Sequence, residues 1–511
     1  MFHASSQFDA ALGVIARLRA AGHEAYLAGG CVRDLLLGRA PSDYDVATSA
    51  TPDVVLGLFD RTFAVGAHFG VVLVAHDEGD SYFTTEVATF RSDGAYSDGR
   101  HPDAVRYTIS AEEDVRRRDF TINGLLLDPL AMLGESAPPF SAQDAGTDEL
   151  HEPRDASFGP PLRGSHSTQG DCSQGSVRRG GLHPGLFSRG PSGAGLVRNA
   201  VIDYVGGVAD LEAGLIRAIG NAAERFEEDR LRMLRAVRFA ARLGFALEPA
   251  TATAICALAP RLASVSRERV RDELTRMLTE GHARRAFQLL DETGLLAEVL
   301  PEIARMKGVE QPPQYHPEGD VWVHTLGLLA QLDPGCSMTL AWGALLHDVG
   351  KPPTFRRAPD RIRFDGHVDV GVAMASEICR RFRFSNDETH QILALVENHM
   401  RFADTERMKT STLKRFLRLD GFDEHLALHR MDCLAGSGNL DHWEFVRSRR
   451  DAMPEEIVRP APLITGRELI AAGYAPGPAF KPMLRAVEDA QLEGTIQTAE
   501  EALHLVKERF A

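Results

Sequence analysis

The apolar positions of this chain change their period once. Before about residue 130, short stretches alternate as strands do: "DYDVAT" (43–48), "FGVVLVAH" (69–76), "SYFTTEVATF" (81–90) and "FTINGLLLD" (120–128). Beyond Ala222 the spacing is helical nearly to the end, interrupted at "EQPPQYHPEG" (310–319) and "PAPLITG" (460–466). A chain patterned in this way can build a sheet only in its first part. The expected fold is therefore α+β: a small mixed sheet with helices, followed by an all-α remainder. The 511 residues are too many for one core, so several domains are expected.

Between the two regimes, residues 131–199 lose periodicity. "SFGPPLRGSHSTQGDCSQGSVRRGGLHPGLFSRGPSGAG" (157–195) is rich in Gly, Ser and Pro and has too little apolar surface to offset its ordering entropy. It is read as a disordered insertion; Arg178, Arg179 and Arg189 leave an RNA-contacting arm as the functional alternative. Order resumes at "AVIDYVGGVADLEAGLIRAIG" (200–220) as strand, turn, helix cap and strand.

The net charge of −15 neither requires nor excludes a nucleic-acid partner, because a local basic patch suffices for one. The six cysteines are far apart, without a CxxC pair, which suits a reducing cytoplasm and argues against a structural zinc. The N-terminal stretch lacks the order of a signal peptide, and no apolar run approaches the ~20 residues of a membrane span. The expected location is cytoplasmic, with no membrane partner and no obligate protein partner.

"AGGCVRDLLLGRAPSDYDVAT" (28–48) carries the densest chemistry. Gly29 and Gly30 make a tight turn whose backbone can approach a phosphate, and Arg33 is placed to grip one as a charged fork. Asp43 and Asp45 stand two apart on an expected strand, so both carboxylates share a face and can hold Mg²⁺. A bare Asp-x-Asp also occurs in surface turns; here the Gly pair and the arginine accompany it. Glu86, on another expected strand, reads either as a further ligand or proton acceptor or as an edge glutamate. Arg117, Arg118, Asp119 and Asn123 in "VRRRDFTINGLLLDP" (115–129) read as an anchor for phosphate or ribose, or as a solvated charge run.

Taken in order, GG-x-VRD-x-LLG, D-x-D, EVATFR, RRDFTIN and ED-x-x-R-x-x-R resemble the class II tRNA nucleotidyltransferases, the CCA-adding enzymes, whose superfamily includes bacterial poly(A) polymerases. The resemblance implies a polymerase-beta-like nucleotidyltransferase head at 1–130 plus 200–221, and a helical neck at 222–305. A body at 306–455 and a helical tail at 456–511 follow. It implies template-independent addition of C and A from CTP and ATP to the 3′ end of tRNA. Asp43, Asp45 and Glu86 would be catalytic, and Gly29, Gly30, Arg33, Arg117, Arg118 and Asn123 would bind the nucleotide. Poly(A) polymerase, or addition of A alone, is the alternative within the superfamily.

In that family the helix after the head reads the incoming base. Here it is "FEEDRLRMLRAVRFAARLGF" (226–245), where Asp229, Arg232, Arg235 and Arg238 step by three, each about 60° behind the last on a helix. Asp229 can accept and Arg232 can donate. Cytosine and adenine both present an amino donor beside a ring-nitrogen acceptor and fit that pair. Uracil and guanine present the reverse and would leave groups unpaired. By resemblance, Arg235 and Arg238 support the pair or touch phosphates. A bland reading, a helix laced with ion pairs such as Glu228–Arg232, stands beside this one. The Gly- and Asp-rich loop "FRSDGAYSDGRHPDAVRY" (90–107) looks like the family's element for switching from C to A, or like a plain surface loop.

A second constellation is spread over the helical part: His324, His347-Asp348, His367, His399 and Asp432. This is a ligand mix for one or two divalent metals, and it resembles the HD phosphohydrolase superfamily. The resemblance implies hydrolysis of phosphoesters at RNA ends, including 2′,3′-cyclic phosphates. A metal phosphohydrolase with an RNA-binding head is thus the alternative from another class, and an inactive HD-like bundle is the structural one.

Overall fold

The computed structural model describes residues 6–64, 70–78, 81–94, 105–132, 197–314 and 316–510. The insertion 133–196, with Arg178, Arg179 and Arg189, lies outside the described residues, as does the loop centre 95–104. The chain divides into two compact units, one of Met1–Ala95 and Pro102–Glu212, the other of Tyr96–His101 and Ala213–Ala511.

The first unit is built on a seven-stranded mixed sheet. Its strands are β1 (Ala25–Ala28), β2 (Val46–Thr48), β3 (Thr62–Phe63), β4 (Val71–Glu78), β5 (Ser81–Thr89), β8 (Leu125–Leu127) and β9 (Val201–Asp203), in the order β3-β4-β5-β2-β1-β8-β9. Only β2 and β5 pair in parallel; the other neighbours are antiparallel. A separate hairpin pairs β6 (Arg91–Asp93) with β7 (Val105–Tyr107). The helix Ser6–Ala20 buries Phe8, Ala11, Val14, Ile15 and Leu18, spaced by three and four as one face requires, against Leu27, Val46, Val72 and Val87 of the sheet. Each such fully buried large aliphatic contributes about 1.5–3 kcal/mol relative to exposure.

Two expectations are corrected locally. Asp43 and Asp45 stand just before β2 rather than on it, because the ladder with β1 begins at Val46. "FTINGLLLD" is a 3-10 turn, Thr121–Asn123, followed by only three strand residues, because Gly124 breaks the pairing. The turn is packed tightly: a Cβ on Gly207 would come within 2.2 Å of the Thr121 carbonyl oxygen.

The second unit is almost wholly helical. The strands β10 (Leu215–Ile216) and β11 (Ala246–Leu247) pair in parallel with each other and are not part of the large sheet. The indole N–H of Trp342, fully buried in the helix Met338–Leu346, donates to the Thr275 hydroxyl at 2.9 Å, fixing that helix to Arg267–Thr279. Helices near the C-terminus close a small core of Ile464, Leu469, Met483, Val487 and Val506.

His425, in the helix Phe422–Ala435, is 1% exposed, and neither ring nitrogen finds a hydrogen-bond partner among the described residues. Burial lowers its pKa to about 4 from 6.5. The unfolded chain therefore takes up a proton below pH ~6.5 that the fold refuses until about 4, so stability falls as pH drops through that window. His425→Leu removes this dependence. The stability difference between wild type and variant should shift by up to about 3 kcal/mol between pH 7 and 4, in favour of the variant, by urea unfolding at each pH.

Candidate functional site

In the first unit β1 runs directly into the turn at Gly29, whose φ is +75°, a conformation that favours glycine. A Cβ there would also stand 3.2 Å from the Arg118 guanidinium. The helix Gly30–Leu36 follows. Arg33, expected to face a triphosphate, is 3% exposed; it donates to the Asp34 carboxylate at 2.9 Å and to the Asn123 side-chain oxygen at 2.7 Å. Asn123 donates in turn to Asp119 at 3.2 Å. Arg33, Asn123 and Asp119 are thus joined in a network that fixes the Gly-Gly turn to the 3-10 turn.

Of the three expected acids, Asp45 and Glu86 line one cleft, while Asp43 is exposed and outside its lining. The Asp45 main-chain oxygen accepts from the Ala28 N–H at 3.0 Å, which anchors this residue beside β1. Glu86, in the middle of β5, lies across a cleft of about 310 Å³ lined by Ala28, Asp45, Val71, Arg91, Arg117 and Arg118. Desolvation, then the charges of Glu86 and Asp43, push the Asp45 carboxyl up to about 7, against the pull of Arg118. Glu86 is raised for the same reasons, with desolvation first and Asp43 second. Two desolvated carboxylates held near the charge of a third form a site that a divalent cation would relieve.

Asp114, passed over in the sequence, organises the opposite wall. It is 1% exposed and accepts from Arg117 at 2.6 Å, from Arg118 at 3.0 Å and from the Arg91 N–H at 3.3 Å. Burial pushes its carboxyl up, but Arg118 and Arg117 outweigh burial and hold it below its usual range. Its signal was present as an acid three and four residues before two arginines on a helix. Asp114→Asn removes the charge that aims both guanidinium groups. Nucleotide affinity should fall by about tenfold, the share of one weakened charge-assisted contact, in a fluorescent-nucleotide titration.

In the second unit the arginine-rich stretch is two helices, not one. Ala222–Glu228 ends at Asp229, whose backbone is extended (φ −140°), and Leu231–Leu243 begins beyond it. The even three-residue stepping expected from Asp229 therefore fails at its first member. The Asp229 carboxylate accepts from the Leu231 N–H at the start of the second helix at 3.1 Å, and its other oxygen accepts from Arg269 at 2.8 Å. Arg232 donates to Glu228 at 2.6 Å and to the Arg225 carbonyl at 3.1 Å. Arg238 is 5% exposed, held by Glu273 at 2.7 Å, and its guanidinium lies 4.5 Å from the Phe239 ring centre. Arg235 lies over the same ring at 5.4 Å. Arg238 therefore serves helix packing, and the ion-pair lacing read as the bland alternative is present. Arg269 was not singled out in the sequence because it lies on another helix, 40 residues downstream of Asp229.

All six residues of the dispersed His/Asp set meet in this unit. The Asp348 carboxylate lies 3.1 Å from His347 Nε2, 3.7 Å from His399 Nε2, and 3.9 Å from both His324 Nε2 and His367 Nε2. Asp432 lies 3.0 Å from His324 Nε2. Lys351 donates to Asp348 and to Gln311, both at 2.7 Å. Burial pushes the Asp348 carboxyl up, but His347 and Lys351 hold it well below its usual range. Gly350 permits the assembly, since a Cβ there would fall 2.1 Å from the His367 carbonyl oxygen. The Nε2 atoms of His324, His347, His367 and His399 are buried and lack hydrogen-bond partners among the described residues. Four buried imidazole nitrogens around Asp348, two of them (His324 and His347) within 3.1 Å of a carboxylate oxygen and two (His367 and His399) farther off, are a donor set that fits a divalent metal. Asp348, His367, His399 and Asp432 line a cavity of about 640 Å³ whose wall includes Lys351, Arg361, Arg363 and Asn439. The structure adds His316 and Glu318, which sequence reading had left inside a Pro- and Gly-rich break.

Comparison with known proteins places these features. Residues 25–134 match the poly A polymerase head domain, 244–307 a probable RNA and SrmB-binding site of polymerase A, and 322–431 the HD domain. The chain is 39% identical to the CCA-adding enzyme of Geobacillus thermodenitrificans over 297 residues, 58% of this chain and 55% of that one. It thus spans about half the length of the curated relatives it matches at this level. It is 28% identical to the CCA-adding enzyme of Levilactobacillus brevis over 98% of both chains. The crystal structure of the Bacillus stearothermophilus CCA-adding enzyme in complex with CTP superposes with a TM-score of 0.66, at 26% identity, over 99% of this chain and 98% of that one.

Proposed function

Since this chain belongs to the tRNA nucleotidyltransferase and poly(A) polymerase family, with an HD domain in its body, we propose that it adds C and A from CTP and ATP to the 3′ end of tRNA without a nucleic-acid template. Heads and HD domains of these kinds depend on divalent metal. The observation that carries the reading is the pair of acids Asp45 and Glu86, facing Arg91, Arg117 and Arg118 across one cleft, with the charge of Asp43 acting on both acids. The relatives that cover the chain are CCA-adding enzymes, which disfavours poly(A) addition. The setting is the cytoplasm; among the described residues no helix is long and apolar enough to cross a membrane.

Asp43 and Asp45 would hold Mg²⁺, which supplies charge neutralisation at the phosphates and lowers the pKa of the attacking 3′-hydroxyl. Arg117 and Arg118, aimed by Asp114, bind the triphosphate and steady the leaving pyrophosphate. Glu86 is placed to accept the hydroxyl proton. The hydroxyl oxygen bonds to the α-phosphorus as the bond to pyrophosphate breaks in line, with charge carried by the arginines.

Asp229 and Arg232 select the base. The Asp229 carboxylate is held in one orientation by Arg269 and the Leu231 N–H, as base discrimination by an acceptor demands. The loop 90–107 is read as the element that switches C to A.

A second activity is favoured by the orphaned Nε2 atoms. The HD cluster, beneath a cavity carrying Lys351, Arg361 and Arg363, would hydrolyse phosphoesters at RNA ends, 2′,3′-cyclic phosphates included.

With tRNA lacking its end, Mg²⁺ and single NTPs, the protein should incorporate C, then A, and stop. Long A tails, or no C incorporation, would sink the reading. Asp43→Ala should lower addition by at least ~10³-fold while sparing phosphohydrolysis, and Asp348→Ala should do the reverse. Asp229→Ala or Arg232→Ala should narrow the preference for CTP and ATP over UTP and GTP by about 10–100-fold in kcat/KM, the worth of one or two base contacts. Unchanged selectivity removes the base-reading role.

A further inference from the structure

The four histidines of the HD cluster are not held alike. His347, His367 and His399 each direct Nδ1 at the main-chain carbonyl three residues earlier, those of Ala344, Phe364 and Val396, at 2.8, 3.0 and 2.7 Å. A carbonyl only accepts, so each ring carries its proton on Nδ1 and offers the Nε2 lone pair. His324 instead directs Nδ1 at a carboxylate, Glu318 Oε1, at 2.6 Å. The same oxygen faces His316 Nδ1 at 2.9 Å, and the two rings meet edge-on with centres 4.8 Å apart. His324 is fully buried, and this is the one support of the four that carries a charge.

Besides the His316, Glu318 and His324 set, the ligand atoms fall into two overlapping groups that share Asp348. One is His324, His347 and Asp348; the other is Asp348, His367 and His399. The first has a second carboxylate, Asp432, 3.0 Å from His324 Nε2, and Glu318 behind the ring. Behind the second stand only neutral main-chain carbonyls. A carboxylate behind a ligating imidazole fixes the ring and makes it a stronger donor, and its removal commonly costs 10–100-fold in metal affinity.

We infer that Glu318 is a positioning residue that makes the His324 end of the HD cluster its tighter cation position, the His367–His399 end being the weaker one. This rests on the reading of the cluster as a metal site. Glu318 belongs to the segment 310–320, whose Gln311 accepts from Lys351, itself paired with Asp348. The segment thus supports the cluster at two points.

The test is Co²⁺ binding to the full-length chain carrying Asp43→Ala and Asp45→Ala, which silence the head. It is read by calorimetry and by the visible spectrum of the bound ion after removal of metal with chelator. Two steps of unequal affinity are expected. Glu318→Gln, which keeps a neutral acceptor, should weaken the tighter step by about tenfold, and Glu318→Ala by about 100-fold, leaving the weaker step in place. His367→Ala should abolish the weaker step alone. Melting of the metal-free Glu318→Gln protein at the parent temperature shows that the loss is not one of folding; if Glu318→Ala is poorly folded, the Gln variant carries the test. An unmoved tighter step in Glu318→Gln, or its loss in His367→Ala, overturns the inference. Absence of any Co²⁺ binding to the parent chain overturns instead the metal reading beneath it.

Discussion

A carboxylate taken out of water must be matched by cations or hydrogen bonds, and two buried aspartates order this protein around that requirement. Asp114 collects Arg117, Arg118 and the Arg91 main chain. Asp348 collects Lys351 and faces the Nε2 atoms of four histidines. Neither acid could remain charged at its depth alone, since an unpaired buried charge costs several kcal/mol. The partners are therefore fixed by the same energy that keeps the acid ionised, and they are the groups that face each cleft. Pre-organisation here follows from electrostatic necessity more than from rigidity of the backbone.

The acids of the head cleft show the opposite condition. Asp45 and Glu86 are placed where burial, the charge of Asp43 and, for Asp45, that of Glu86 raise their pKa values, with Arg118 pulling the other way for both. That arrangement is unfavourable in itself and is maintained by the sheet: Glu86 by pairing across β4, Asp45 by its main-chain bond beside β1. Strain of this electrostatic kind belongs at a functional site, where an incoming cation can release it. The arginine stretch is less concentrated. Arg238 is committed to Glu273, and Arg232 is partnered by Glu228, so of the four stepped residues only Asp229 stands at a helix boundary where a short acceptor can project.

The sequence made the gross architecture legible because it is written in period: alternation before residue 130 and helical spacing after 222. The six HD residues were legible because His and Asp have few reasons to recur in that order on helices. What escaped has a common cause. Asp114, Arg269, His316 and Glu318 act on other side chains, and such partners are chosen by three-dimensional proximity. Asp229 and Arg269 are 40 residues apart, and Glu318 sits in a stretch whose prolines and glycines read as a linker. The break at Asp229 escaped for a different reason. Arginine, leucine and glutamate on both sides favour helix, and the bond to the Leu231 N–H is made by the acid itself.

The strand order of the head has a further consequence. β8 and β9 are antiparallel neighbours at one edge of the sheet, with Leu127 opposite Val201, so the described residues on either side of the span 133–196 are paired with each other. The ends of the intervening span are already joined by the ladder. Joining two strands that already pair costs a flexible connection only about 0.6 kcal/mol for each doubling of its length. The cleft sits on β1, β2 and β5, several strands in from that edge. A lineage could lengthen, shorten or rewrite the span between residues 132 and 197 with almost no thermodynamic penalty to the nucleotide site, which makes this sheet edge the place where the head is free to diverge.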